Sequence, residues 1–436
     1  MSQKNEVSIF WFRRDLRIAD NCALFHALKS GYAVQCVFIF DKNILNQLED
    51  KNDRRIVFIH RQLHQLNNEL KLYGASLLTY FDYPAEALKK ICDQFHVKYV
   101  FANHDYEPEA IKRDEEVKNL LMAQGIPFNT YKDQVVLEKK EVTKEDGMPY
   151  TVFTPYKNKY LQILNHSHLL PYNTLALVNN FYKNNNTGIH SIEAIGFNSM
   201  DITFPENTVD ESLILNYHHT RDYPAKHGTS ALSIHLRFGT ISIRALMKQA
   251  FKLNGIYANE LIWREFYMMI LFHFPHAVNE GLKRGYNYIK WRNNEEEFTR
   301  WCTGQTGYPI VDAGMRELNQ TGFMHNRLRM ITASFLVKHL LIDWRWGEAY
   351  FAKKLNDFEL SSNNGGWQWA SGSGCDAAPY FRIFNPYEQT RKFDKEKLYI
   401  NKWVPELNDL SYPQPVVEHN YARKRCLEVY KKALTQ

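Results

Sequence analysis

The chain has 436 residues, 44% hydrophobic and 23% charged, with a formal net charge of +6; this is the composition of a globular protein large enough for two or three domains. No apolar run approaches the ~20 residues of a membrane-spanning helix, and residues 1–6 carry no apolar leader segment. The cysteines at 22, 36, 92, 302, 375 and 426 are scattered without a Cys-x-x-Cys, which predicts free thiols in a reducing, cytoplasmic setting.

The first part alternates strand and helix signals. Residues 7–12, 34–40, 76–81 and 97–102 read as buried strands, and residues 20–29, 56–70, 84–95 and 108–122 as helices between and after them. That βαβα order predicts a doubly wound parallel sheet over residues 1–130. The usual nucleotide signatures are missing: no Gly-x-Gly-x-x-Gly follows the first strand, and there is no Gly-Lys-Ser/Thr. The formal match at 372–377 follows paired tryptophans rather than a strand, so it is not a dinucleotide fingerprint. Arg13, Arg14 and Arg17 after the first strand could hold an anion or pair with acids. From 131 to 205 the pattern weakens into a polar, turn-rich connector with short helical pieces, including the run 179–188. After 206 helical runs follow one another, at 241–252, 259–272, 295–302, 311–320, 326–341 and 347–354, which predicts an all-α second domain.

The charge excess lies wholly after residue 205, where 30 Lys+Arg face 24 Asp+Glu, and eight of the nine tryptophans lie there too. Basic, aromatic-rich surface suits a polyanion whose bases stack, although the excess alone is unremarkable. Gly228, Thr229, Ser230 and Ser233 offer hydroxyls and N–H groups near a helix start, either as an anion site or as a cap. Glu260, Trp263, Arg264 and Tyr267 recur at helical spacing and form one polar-aromatic face. Arg329 precedes an apolar run, so burial would demand a partner, for which Asp357 or Glu359 is available. Trp367 and Trp369 fall about 200° apart on a helix, one inward and one outward, beside Asn363, Asn364, Gly365 and Gly366. The glycines allow a bulky group to approach the backbone. The histidines and cysteines form no metal-ligand pattern, and there is no Gly-x-Ser-x-Gly elbow. Any enzyme chemistry therefore falls to an organic cofactor.

Taken together, residues 11–17 (WFRRDLR), 259–267, 306–312 (TGYPIVD), 325–330, 363–369 and 376–386 (DAAPYFRIFNP) resemble the DNA photolyase/cryptochrome family. The likeness is greatest to its class I cyclobutane pyrimidine dimer photolyases and extends along nearly the whole chain. The resemblance implies an α/β antenna domain (1–130), a connector (131–205) and a helical FAD- and DNA-binding domain (206–436). It implies FAD contacts at Tyr217, Thr229, Ser230, Ala231, Leu232 and Ser233, and at Arg264, Arg329, Asp357, Phe358, Glu359 and Asn363, with Arg329 paired to Asp357. Asn363 matches the residue facing flavin N5, and Trp367, Trp344 and Trp291 match an electron-transfer chain. Trp263 and Trp369 match the lesion-pocket walls, with Glu260, Tyr267, Asn326 and Met330 around them. Arg221, Arg327 and Gln389 match DNA-contacting positions. Asn326 and Met330 stand where photolyases for the other major photoproduct carry histidines, which favours the cyclobutane substrate.

The activity so implied is light-driven repair by a monomer acting on dimer-bearing DNA. The lesion is flipped out and split by an electron from excited reduced FAD. Phe323, Tyr257 and Glu359 depart from the family's usual Trp, Trp and Asp. Glu109-Ala110 stands where folate-binding relatives carry Asn-Glu, so a folate antenna, a deazaflavin or none is left open. The alternatives are a cryptochrome-like photosensor, disfavoured by Asn363, Trp263, Trp369 and Met330, and an ordinary flavin oxidoreductase, disfavoured by the tryptophan chain.

Overall fold

The computed structural model describes residues 5–185 and 188–435. Residues 1–4, part of the stretch read for a leader, and residues 186–187 of the polar run lie outside the described residues. Two compact units emerge. The first takes residues up to 138 with 164–208 and 231–249; the second takes 139–163, 209–230 and 250–436.

The first unit is built on a five-stranded parallel sheet in the order β3-β2-β1-β4-β5. Its strands are β1 (Glu6–Phe12), β2 (Ala33–Asp41), β3 (Leu77–Asp82), β4 (His96–Asn103) and β5 (Phe128–Tyr131). Side chains alternate across each strand, and both faces are covered. Phe10, Phe12, Phe38 and Phe40 pack into one apolar cluster; Ile9, Trp11, Val37 and Ile39 pack into another. Burial on both faces is why these strands read as continuous apolar runs. The fifth strand went unpredicted because its four residues, FNTY, are only half-buried.

The sheet order reverses at β1, the place where such folds often hold a ligand. Here ion pairs fill that position. Arg13 pairs with Asp114, Arg14 with Asp105 at 3.0 Å and Glu107 at 2.9 Å, and Arg17 with Asp133 at 2.7 Å. Of the two readings of the arginine run, pairing with acids is the one realised.

The predicted connector is divided between the units. Phe181, Ile192, Ile195 and Phe197 join the first unit's core, as do Ile234 and Phe238 from beyond residue 206. The Phe153–Ile163 helix belongs to the second unit. Isolated apolar residues in a polar stretch carry no period, so their docking is invisible to pattern reading. The Ser233–Phe238 helix has Leu232 as its N-cap with no side-chain bond, so the hydroxyls of 229–233 do not act as its cap.

The second unit is helical. Residues 326–341, expected as one helix, form an α-helix over Asn326–Ser334 and a π-helical turn over Phe335–Leu340, ended by Leu341 at φ 52. The widened turn contains the buried Lys338, whose Nζ donates to the Ser371 carbonyl at 3.0 Å. A π-turn is the usual accommodation for a side chain that a regular helix would misplace. The 306–312 motif folds on its own aspartate and is tied to the chain's far end: the buried Asp312 carboxylate accepts from Thr306 N (2.7 Å), Gly307 N (3.0 Å) and Tyr412 Oη (2.6 Å). No described helix is long and apolar enough to cross a membrane.

Candidate active site

Two helices of the second unit, Gly255–His273 and Leu360–Ser371, carry seven of the predicted residues: Glu260, Trp263, Arg264 and Tyr267 on the first, and Asn363, Trp367 and Trp369 on the second. Asn254 caps the first by accepting from Ile256 N at 2.9 Å. The helices meet where Gly365 has no side chain: a Cβ there would overlap the Tyr267 ring. The expected close approach thus occurs at Gly365, and the approaching group is Tyr267. Gly366 faces open space.

The two acids before the second helix each hold an arginine. Asp357 takes Arg329 at 2.8 Å, and Glu359 takes Arg264 at 3.4 Å. Arg329 also donates from Nε to the Met324 carbonyl at 2.9 Å. The buried-charge argument is met by the first of its two candidate acids. Phe358 packs against the apolar cluster of this unit.

Asn363 is buried between these pairs and the tryptophans. Its Nδ2 donates to Glu348 Oε1 at 2.8 Å and to the Glu348 carbonyl at 3.1 Å. Its own amide oxygen accepts nothing among the described residues. Burial pushes the Glu348 carboxyl up, and the Asn363 bond opposes this. Sequence reading missed Glu348, and it missed Gly347, where a Cβ would overlap the Trp367 ring. The available signal was a glycine inside a helical run with no turn beside it.

Trp367 points inward, 2% exposed, and meets Phe351 and Trp301 edge-on with centroids 5.0 and 6.0 Å away. Trp369 is half-buried against Phe384. The opposite-face expectation therefore holds. Trp344 belongs to the same cluster as Trp367, and Trp291 packs against it.

Around Glu260 a chain of charges forms. Glu260 accepts from Arg221 at 2.5 Å, and Asp222 accepts from Arg327 at 2.6 Å. Burial pushes the Glu260 carboxyl up, against the pull of Arg221. Arg327 lies over the Phe393 ring at 4.3 Å and reaches Met330 Sδ at 3.8 Å, with the exposed Asn326 at 4.0 Å from the same sulfur. Tyr217 meets Tyr257 edge-on at 5.1 Å, and Tyr257 Oη lies 2.9 Å from Ser230 Oγ. Thr229 is half-buried beside it in sequence, and Gln389 is half-buried on the Pro386–Phe393 helix. Ala231, Leu232 and Ser233 fall in the first unit, with Ala231 at φ 52. Phe323 is half-buried and donates its N–H to Thr321 Oγ1 at 3.0 Å.

The donor set fits an FAD. Two arginine–carboxylate pairs, a neutral buried amide with a free acceptor, and a buried Ser361 Oγ with no partner among the described residues lie on or beside one helix. Residues 8–174 match the DNA photolyase family and residues 257–411 the FAD binding domain of DNA photolyase. The deoxyribodipyrimidine photo-lyase of Vibrio cholerae is 36% identical, covering 98% of this chain and 99% of its own. A bacterial class III photolyase from Agrobacterium tumefaciens superposes with a TM-score of 0.87 at 31% identity, covering 100% of this chain and 99% of its own. An archaeal photolyase from Sulfolobus tokodaii, solved with two FAD molecules, gives 0.79 at 33% identity, covering 98% and 100%. The chain belongs to the DNA photolyase family.

Proposed function

We propose that the protein is a deoxyribodipyrimidine photo-lyase: it repairs cyclobutane pyrimidine dimers in DNA in a light-driven reaction that uses FAD. The observation that carries this reading is the Leu360–Ser371 helix. It carries a buried neutral amide, Asn363, just after two acids that each hold an arginine, with Trp367 turned inward and Trp369 turned outward.

Tyr217, Thr229, Ser230, Arg264, Arg329, Asp357, Phe358, Glu359 and Asn363 would hold the cofactor. When bound and reduced, FAD supplies the photoexcited electron that opens the cyclobutane ring and accepts it back. The remaining work belongs to the chain. Asn363 offers an uncharged oxygen acceptor, which favours a protonated ring nitrogen without adding a buried charge. Trp367, Trp344 and Trp291 carry electrons inward from the surface. Trp263 and Trp369 present aromatic surface on which a flipped-out lesion stacks. Glu260, Tyr267, Asn326 and Met330 line that pocket, and Arg221, Arg327 and Gln389 contact the DNA backbone. Burial pushes the Glu260 carboxyl up while Arg221 holds it down, and its place beside Trp263 sets it to hydrogen-bond the dimer.

The antenna chromophore is a folate or a deazaflavin, or is absent. The protein acts as a monomer in the cytoplasm, where its six cysteines, none in a disulfide, remain reduced. The test is absorbance recovery at the thymine band when the reduced protein meets ultraviolet-irradiated oligothymidine under blue light. Recovery that requires both light and reduced flavin is expected. A normal flavin spectrum without recovery would favour a photosensor instead.

A further inference from the structure

Trp263 stands at the edge of the proposed lesion pocket, yet the contact that fixes its ring comes from 110 positions earlier in the chain. Phe153, the first residue of the Phe153–Ile163 helix, stacks on Trp263 with centroids 3.7 Å apart and planes 9° from parallel. Phe153 is 7% exposed, whereas Trp263 is only half-buried. One face of the indole is therefore covered by Phe153; Phe266 and Tyr267 each meet the ring at 5.5 Å, and the rest of the half-buried ring is what stays accessible. The Phe153 ring is held in turn: it meets Phe266 edge-on at 5.8 Å, and Tyr156 packs on the same Phe266 at 5.0 Å.

The same turn grips a second element. The Thr151 carbonyl accepts from Asp376 N at 3.0 Å. Asp376 sits at φ 45, a left-handed conformation that Asp adopts more readily than most residues with a Cβ. Asp376 opens the 376–386 segment that leads to Phe384, the ring against Trp369. Residues 151–153 thus brace both sides of the pocket, Trp263 by stacking and the segment behind Trp369 by a backbone hydrogen bond.

We propose that Phe153 is a positioning residue for lesion binding: it locks Trp263 from behind so that the accessible part of the indole is preset for the dimer. This rests on the assignment of Trp263 to the lesion pocket. A ring with a fixed rotamer loses less freedom on binding, and an aromatic pair of this kind is worth about 2- to 10-fold in affinity.

The test uses full-length, FAD-loaded protein and an oligonucleotide bearing one thymine dimer, with binding measured in the dark and repair quantum yield measured at saturating substrate. Phe153→Leu keeps an apolar group of similar burial and removes the ring. It is expected to weaken dimer binding about 2- to 10-fold while leaving the yield per bound dimer and the affinity for undamaged DNA unchanged. Phe153→Tyr is expected to restore binding, and Phe153→Leu is expected to add nothing in a Trp263→Ala background. Tighter dimer binding by Phe153→Leu would mean that Phe153 plugs the pocket, and equal binding would mean that the stack does not preset the ring; either overturns the proposal. If Phe153→Leu fails to retain flavin, Phe153→Tyr and Phe153→Trp decide: preserved affinity supports the stack, and loss in both overturns it. Trp263→Ala that binds the dimer as well as the parent would remove the pocket assignment itself, an outcome distinct from weakening by Trp263→Ala but not by Phe153→Leu.

Discussion

Both units carry clusters of arginine beside acids, and the two clusters are built to different ends. In the first unit Arg13, Arg14, Arg17 and Arg244 have side chains only 8, 10, 9 and 5% exposed, closed in by Asp114, Asp105, Asp133 and Asp20. In the second unit Arg221, Arg327 and Arg329 are 29, 18 and 27% exposed, each with one principal acid, while Arg264 beside Glu359 is as enclosed as the first unit's arginines at 11%. The first arrangement satisfies its charges internally. The second keeps guanidinium groups at the surface, where phosphate can compete for them. Arginine density does not separate the two cases; residual exposure does.

The largest effect that would sharpen this contrast is in the first unit. Arg244→Met removes a partner from both Asp20 and Asp133, and stripping one member from a buried network costs about 3–5 kcal/mol. Chemical denaturation should show that loss with no change in lesion affinity; a loss below about 1 kcal/mol would break the claim that these charges are structural.

A pH titration probes the second unit. His325 accepts from Arg327 N through Nδ1 at 3.1 Å, and burial with the nearby Arg327 and Arg329 lowers its pKa from 6.5 to about 4. The unfolded chain therefore binds more protons between those values, and stability rises with pH across that window. About 3 kcal/mol should be lost as pH falls from about 6.5 to 4. His325→Asn keeps a capping acceptor and should flatten this dependence in denaturation curves.

Gly365→Ala would drive a Cβ into the Tyr267 ring and should cost about 1–3 kcal/mol, visible as a lowered melting temperature and reduced flavin retention. Glu260→Ala should lower repair yield about 10-fold, the worth of one hydrogen bond to a charged group, with flavin content intact. Unchanged quantum yield would remove Glu260 from the chemistry.

The sheet was legible because strands buried on both faces are apolar throughout, and the Arg329–Asp357 pair because a guanidinium set before an apolar run calls for a carboxylate, although Arg329 stays half-buried. The opposed tryptophans followed from helical geometry alone. Glu348 was not legible: it lies on a separate helix, Trp344–Lys354, fifteen positions from Asn363, and no local spacing links them. Phe153 was hidden for the same reason, as one aromatic in a weakly patterned stretch. The π-turn at Phe335–Leu340 was missed because its apolar pattern matches an ordinary helix; only the placement of Lys338 reveals it.

The central claim is that the Leu360–Ser371 helix separates two tasks, electron supply on the Trp367 face and lesion contact on the Trp369 face. Trp367→Phe tests it most directly, by comparing photoreduction of oxidised flavin with repair by enzyme reduced beforehand. Photoreduction should be lost while repair by the reduced enzyme persists. Loss of both, or retention of both, would contradict the division.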